Sequence, residues 1–262
     1  QMNSTQRYLF DLNGYLHLKN VLSSKELEEA QDAVERCIQI PPDQLPHGWN
    51  FSFDKSLEAL TMHPVTWPII KELSDNKPRL NRGSLAVDTH EKGLITRLHC
   101  AREGQGWQTR RYEVRNSRIF CNDIVAFFYF TDVHPGDGGL VVVPGSHKSE
   151  FQRPKDLFFP DLEDLDPELH PAIKNITPKA GDVIVLSELT THGVLIWKPK
   201  DRDRRFLLLR YKTQYFQDYR GERYVYGQKL LDKLSPDTLE LMAYTSYQHT
   251  KEVVKHDVIH FS

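Results

Sequence analysis

The chain has 262 residues, 27% of them charged, and a formal net charge of -2. That length suits one large domain, and a near-neutral balance with no basic run or acidic tail offers nothing for nucleic acid to bind. The longest apolar runs, such as Ile124 to Phe130, are strand-sized, so no membrane-spanning helix is expected.

The first residues, Gln1-Met2-Asn3-Ser4, lack the basic and apolar regions of a signal peptide. Cys37, Cys100 and Cys121 are odd in number and lack zinc-site spacing. A reducing, cytoplasmic compartment is the expectation, with a removed organellar address as the open alternative.

Helical patterns come first. Ser23-x-x-Glu26 is a capping box, in which the hydroxyl satisfies an orphan N–H and the carboxylate reaches back. It predicts a helix over Lys25 to Ile38, with Leu27, Ala30, Val34, Cys37 and Ile38 near helical spacing. A short helix is expected around Val65 to Leu73. The pattern then turns to strands over Leu85 to Leu98, Ile119 to Thr131, Leu140 to Val143, Asp182 to Leu186 and Phe206 to Lys212. Pro135-Gly136-Asp137-Gly138-Gly139 is a turn cluster, with Asp137 as a turn former. Helices over Gln228 to Leu234 and Pro236 to Tyr247 close the chain. The order predicts a single mainly β domain over 1–262, with a helical part about 1–80, a β core about 81–215 and a helical part about 216–262.

Two histidines carry the chemistry. His99 lies in Arg97-Leu98-His99-Cys100-Ala101-Arg102-Glu103, and His192 follows about 90 residues later in Thr191-His192-Gly193. Arg204-Arg205 comes about a dozen residues after that. Strand-borne histidines so arranged, with a following arginine, suggest a ferrous site and an acid-binding guanidinium. Non-haem iron sites commonly use two His and one carboxylate. The carboxylate usually stands two residues after the first His, where this chain has Ala101. His47, His63 and His90 lie in no motif and are expected at the surface. His147, in Pro144-Gly145-Ser146-His147-Lys148, reads as structural.

The run from Gly138-Gly139 through Leu140-Val141-Val142-Val143 to Pro144-Gly145-Ser146-His147-Lys148 resembles the phytanoyl-CoA dioxygenase family. Tyr15-Leu16-His17-Leu18, Gly181-Asp182, His192-Gly193 and Arg204-Arg205 match in order, so the resemblance covers roughly residues 8 to 215. It implies a double-stranded β-helix, a jelly-roll or cupin-like core, binding iron(II) and 2-oxoglutarate. On the same basis His99 and His192 are the iron ligands and Arg204 pairs with the far carboxylate of 2-oxoglutarate. Phe127 forms an aromatic wall beside that cosubstrate. Arg205 is the rival of Arg204, because adjacent strand residues face opposite ways.

Three outcomes are open at Ala101. Glu103 is on the same strand face as His99 and reaches iron only if the chain bends, for which Gly104 and Gly106 provide a place. Chloride fills the place, as in the iron/2-oxoglutarate halogenases. Or the site holds iron weakly or not at all. The function implied is oxidation of an unactivated C–H bond of a small molecule, by hydroxylation, cyclisation or desaturation. A halogenase and a non-catalytic barrel that binds a small acid are the alternatives. Arg97, Arg102, Arg110, Arg111 and Arg115 would favour an anionic substrate.

Overall fold

The computed structural model describes residues 1–90, 92–93, 95–103, 111–154, 168–216, 226–255 and 261. Helix α1 (Ser4–Asn13) opens the chain, and its start carries a capping box between Asn3 and Gln6. Strand β1 (Tyr15–Leu18) follows. Helix α2 (Ser24–Ile38) begins at the expected Ser23–Glu26 box. It buries Ala30, Ala33 and Val34 against the core, while Ile38 is exposed. Short helices α3 (Lys55–Glu58) and α4 (Trp67–Leu73) complete the N-terminal layer.

The β-rich part contains β2 (Pro78–Asp88), β3 (Thr96–His99), β4 (Tyr112–Arg115), β5 (Arg118–Cys121) and β6 (Asp123–Tyr129). After these come β7 (Gly139–Val142), β8 (Lys174–Asn175), β9 (Val183–Ser187), β10 (His192–Leu195) and β11 (Arg204–Thr213). Helices α5 (Gln228–Leu231) and α6 (Pro236–Met242) end the series. The strand expected from Leu85 to Leu98 is two strands, because the chain turns between Thr89 and Lys92, which bond to each other. The last helix stops at Met242, where Ala243 turns extended, and not at Tyr247. The strand expected from Ile119 to Thr131 is likewise two, divided at Asn122 into β5, which pairs with β4, and β6 of the large sheet, while the remaining expected elements lie within a few residues of their bounds.

A five-stranded sheet runs β1-β9-β6-β11-β2 and a four-stranded sheet runs β3-β10-β7-β8, with every pairing in them antiparallel. This is a jelly-roll of two sheets, whose inner faces alternate with outer ones along each strand. Tyr15, Val125, Phe127, Tyr129, Leu140, Val142, Ile184, Leu186 and Phe206 form the inner apolar cluster. The alternate residues of the large sheet, such as Phe128, Val185, Leu207 and Leu209, join the larger cluster with residues of α1, α2, α4 and α6. His63, expected at the surface, is buried: its Nδ1 accepts from the Val65 N–H and its ring lies beside Phe128.

Candidate metal and cosubstrate site

The four-stranded sheet brings His99 and His192 together on its neighbouring strands β3 and β10. His192 opens β10 and pairs in register with Val142 on one side and His99 on the other. The imidazole centroids are 4.3 Å apart. Gly193 permits the approach of β3: a Cβ at this position would stand 2.9 Å from the Thr96 carbonyl oxygen. His192 is buried, while His99 is half-buried at the rim of the inner space.

Both rings are held the same way. Nδ1 of His99 donates to the Arg97 carbonyl and Nδ1 of His192 to the Thr190 carbonyl, each at 2.7 Å. A carbonyl only accepts, so the proton sits on Nδ1 and each Nε2 keeps its lone pair. This is the orientation that metal-ligating histidines take from such second partners. Burial pushes the His192 imidazole below its ordinary range, against the pull of Glu188, so the ring is neutral near neutral pH.

The carboxylate beside this pair is Glu188. It is buried, with Oε2 at 3.8 Å from His192 Nε2, and Oε1 accepts from Arg210 Nη1. Its backbone carbonyl accepts from the Ala101 N–H at 2.7 Å, so Glu188 lies against the residue where a carboxylate was missing. Burial alone would raise its carboxyl, but Arg210, foremost among the neighbouring cationic groups, holds it below the ordinary range. Glu103 is elsewhere: it pairs with Arg153 at 3.1 Å, and Arg153 also donates to the Leu98 carbonyl. Gly104 and Gly106, the expected bend, lie outside the described residues.

Arg204 lies at the opposite end of the inner space. It is 1% exposed, and its guanidinium sits 4.3 Å from the Phe206 ring centroid. Nη1 donates to Asp88 at 2.8 Å. Its Nε and Nη2 are buried with no hydrogen-bond acceptor, and so is the neighbouring Tyr129 hydroxyl. The unused Nε–Nη2 edge is one of the two-donor faces with which guanidinium meets a carboxylate. Gly139 leaves that edge open, since a Cβ there would come within 3.2 Å of Nε. Arg205 faces the other way and pairs with Glu35 and Asp203. Phe127 is buried between the two ends, 6.0 Å from the Phe206 ring.

His99, His192, Arg204 and Phe127 therefore border one inner space, and Arg205 and Glu103 do not. Glu188, Arg210 and Asp88 went unread in the sequence. Arg210 could have been found, because it shares the alternate-residue face of Arg204 on β11. No spacing pointed to Glu188 or Asp88. His147 is buried against the end of α1, with Nε2 donating to the Asp11 carbonyl at 3.0 Å. Of the expected basic cluster, Arg102 donates to the Ser149 carbonyl and Arg115 pairs with Glu113, while Arg110 lies outside the described residues.

The donor set fits iron and 2-oxoglutarate. Two neutral imidazoles suit a ferrous ion, and a buried guanidinium with an open edge suits the far carboxylate of a short dicarboxylate. By strand register, His192 and the Gly139–Leu195 row beside Arg204 are separated by about 10 Å.

Known proteins agree with this architecture. The structure of HygX from Streptomyces hygroscopicus with nickel and 2-oxoglutarate is 22% identical, with a TM-score of 0.70, covering 86% of this chain and 96% of HygX. The 2-oxoglutarate-dependent carbocyclase SnoK from nogalamycin biosynthesis is 19% identical, with a TM-score of 0.58, covering 82% of this chain and 85% of SnoK. The epimerase SnoN, solved with Fe3+, α-ketoglutarate and nogalamycin RO, is 15% identical at a TM-score of 0.58, covering 82% of this chain and 86% of SnoN. At these identities the likeness speaks for the fold. No curated protein matches the chain. No helix among the described residues is long and apolar enough to cross a membrane. The family model for phytanoyl-CoA dioxygenase (PhyH) matches residues 10–194, and the chain belongs to that family of non-haem iron, 2-oxoglutarate-dependent oxygenases.

Proposed function

We propose that this enzyme oxidises an unactivated C–H bond of a small molecule, with His99 and His192 holding iron and Arg204 anchoring 2-oxoglutarate. The observation that carries the reading is the matched pair of Nδ1-anchored imidazoles at one end of an inner space that has an open guanidinium edge at the other. Iron with 2-oxoglutarate and oxygen would supply the oxidising chemistry. The chain's part is to place and shield. Asp88 fixes Arg204 so that Nε and Nη2 receive the far carboxylate. Phe127, Phe206 and Leu208 line the space between and exclude water.

SnoK is named a carbocyclase and SnoN an epimerase, so one fold serves more than one outcome. HygX has been solved with hygromycin B and SnoN with nogalamycin RO, which supports a small-molecule substrate here. The exposed Arg97, two residues before His99 on β3, supports an anionic group on it.

An anaerobic titration with Fe(II) and 2-oxoglutarate, read by the visible charge-transfer band, tests the reading. Wild type develops the band and His192→Ala does not. Arg204→Ala raises the 2-oxoglutarate dissociation constant at least about tenfold, equivalent to ~1.4 kcal/mol. An unchanged constant in Arg204→Ala, with a weakened one in Arg205→Ala, would give the role to Arg205. Succinate release that needs iron separates the enzyme from a barrel that merely binds an acid.

A further inference from the structure

Ala101 removes the carboxylate that a His-x-Asp pair would offer, and two neutral imidazoles bring no charge. A buried divalent cation with no anionic protein ligand is poorly compensated. Glu188 stands at this place from another segment. Its carbonyl accepts the Ala101 N–H, which sets its backbone against the missing side chain. Its two oxygens are divided: Oε1 is taken by Arg210, while Oε2 faces His192 Nε2 at 3.8 Å.

Resting on the iron reading above, we propose that Glu188 is the third protein ligand to the metal, binding through Oε2 while Arg210 holds Oε1. The carboxylate lost from strand β3 is thereby replaced from the β9–β10 connection. Among the described residues, no three His, Cys, Asp or Glu side chains already stand as a metal-holding group. The reason is geometric. Donors at right angles on a metal with bonds of ~2.0–2.2 Å are about 3 Å apart, so Oε2 must approach His192 by about 1 Å. Glu188 lies on the β9–β10 connection, outside the paired strands, and its carboxylate is already directed at His192. Arg210 is then a positioning residue: it occupies one of the two carboxylate oxygens, leaving a single-oxygen ligand.

The test reads metal binding, not turnover. The full chain is stripped of metal and titrated with Co(II), followed by calorimetry and by the visible d–d spectrum. Wild type takes up Co(II), and His192→Ala loses it. Glu188→Ala and the equal-sized Glu188→Gln are each expected to raise the Co(II) dissociation constant at least about tenfold and to alter the d–d spectrum. The Gln variant guards against misfolding around an unpartnered Arg210. Adding Ala101→Asp to Glu188→Gln is expected to restore affinity, which a purely structural role for Glu188 would not do. Glu103→Ala is expected to bind as wild type. Unchanged Co(II) binding in Glu188→Gln, alongside its loss in His192→Ala, overturns the proposal and leaves the two-histidine reading intact. So does wild-type binding that strengthens with added chloride in the same way as that of Glu188→Gln. Failure of wild type to bind Co(II) overturns both.

Discussion

His147 and His192 are both buried, and burial lowers both imidazoles, yet they stand in different settings. His192 keeps a free Nε2 in the inner space, whereas His147 spends Nε2 on the carbonyl of Asp11 in α1. The His147 imidazole is pushed down to about 4 by burial and by the neighbouring Lys148. In the unfolded chain a histidine titrates near 6.5. Between these values the unfolded state binds the extra proton, so stability falls as pH drops through that window. The loss is on the order of 2–3 kcal/mol. Urea midpoints measured from pH 7 to pH 4 should fall for wild type and fall less steeply for His147→Gln; parallel curves would refute this. For single residues the sequence foretold placement where a motif tied type to place: His99 and His192 face each other, and Arg204 rather than Arg205 points inward. Glu188 was not, because what brings it to Ala101 is a backbone hydrogen bond between segments far apart in sequence.

Elements were legible where local chemistry decides them. The Ser23–Glu26 box marked the start of α2, and short continuous apolar runs marked β6, β9 and β11. Helix α1 was passed over although Asn3 and Gln6 form the same kind of box, since its buried face is carried by little more than Phe10. Where β2 ends depends on tertiary contacts: Asp88 stops to meet Arg204, and the chain turns before β3. The close approach of β3 and β10 at Gly193 gives a prediction. In Gly193→Ala the new Cβ meets the Thr96 carbonyl, and overpacking of this kind costs about 1–3 kcal/mol. The strands must part where they hold the two histidines. Iron affinity should therefore drop by more than the thermal midpoint suggests, while far-ultraviolet circular dichroism stays native. Wild-type affinity in a folded Gly193→Ala protein would show that the pair does not depend on this contact.

At the scale of the molecule, the inner cluster is apolar in the middle and charged at both ends, with Arg204–Asp88 at one and Glu188–Arg210 at the other. Buried charges of this kind gain from any ligand that completes them, and a ligand that binds only the folded state stabilises it by mass action. At a free concentration a hundred times its dissociation constant, the gain is about 2.7 kcal/mol. Anaerobic melting curves should rise with Fe(II), rise again with 2-oxoglutarate, and return on chelation. Arg204→Ala should keep the first increment and lose the second. A second increment that survives in Arg204→Ala would place the cosubstrate elsewhere.

Strand β11 serves both faces of the large sheet at once. Arg204, Phe206, Leu208 and Arg210 look inward, while Leu207, Leu209 and Tyr211 lie in the apolar layer beneath the helices. The strand can therefore change length only in even steps. One residue added after Phe206 would deliver Arg210 into that apolar layer and turn Leu207 and Leu209 inward, because an odd shift exchanges the faces of everything beyond it. Two added residues would restore the sidedness. The ladder already absorbs one odd residue, Asn81 on β2, opposite the step from Arg210 to Tyr211. That irregularity lies just beyond the last of these inward side chains, so gains and losses of single residues are confined to the outer end of the strand.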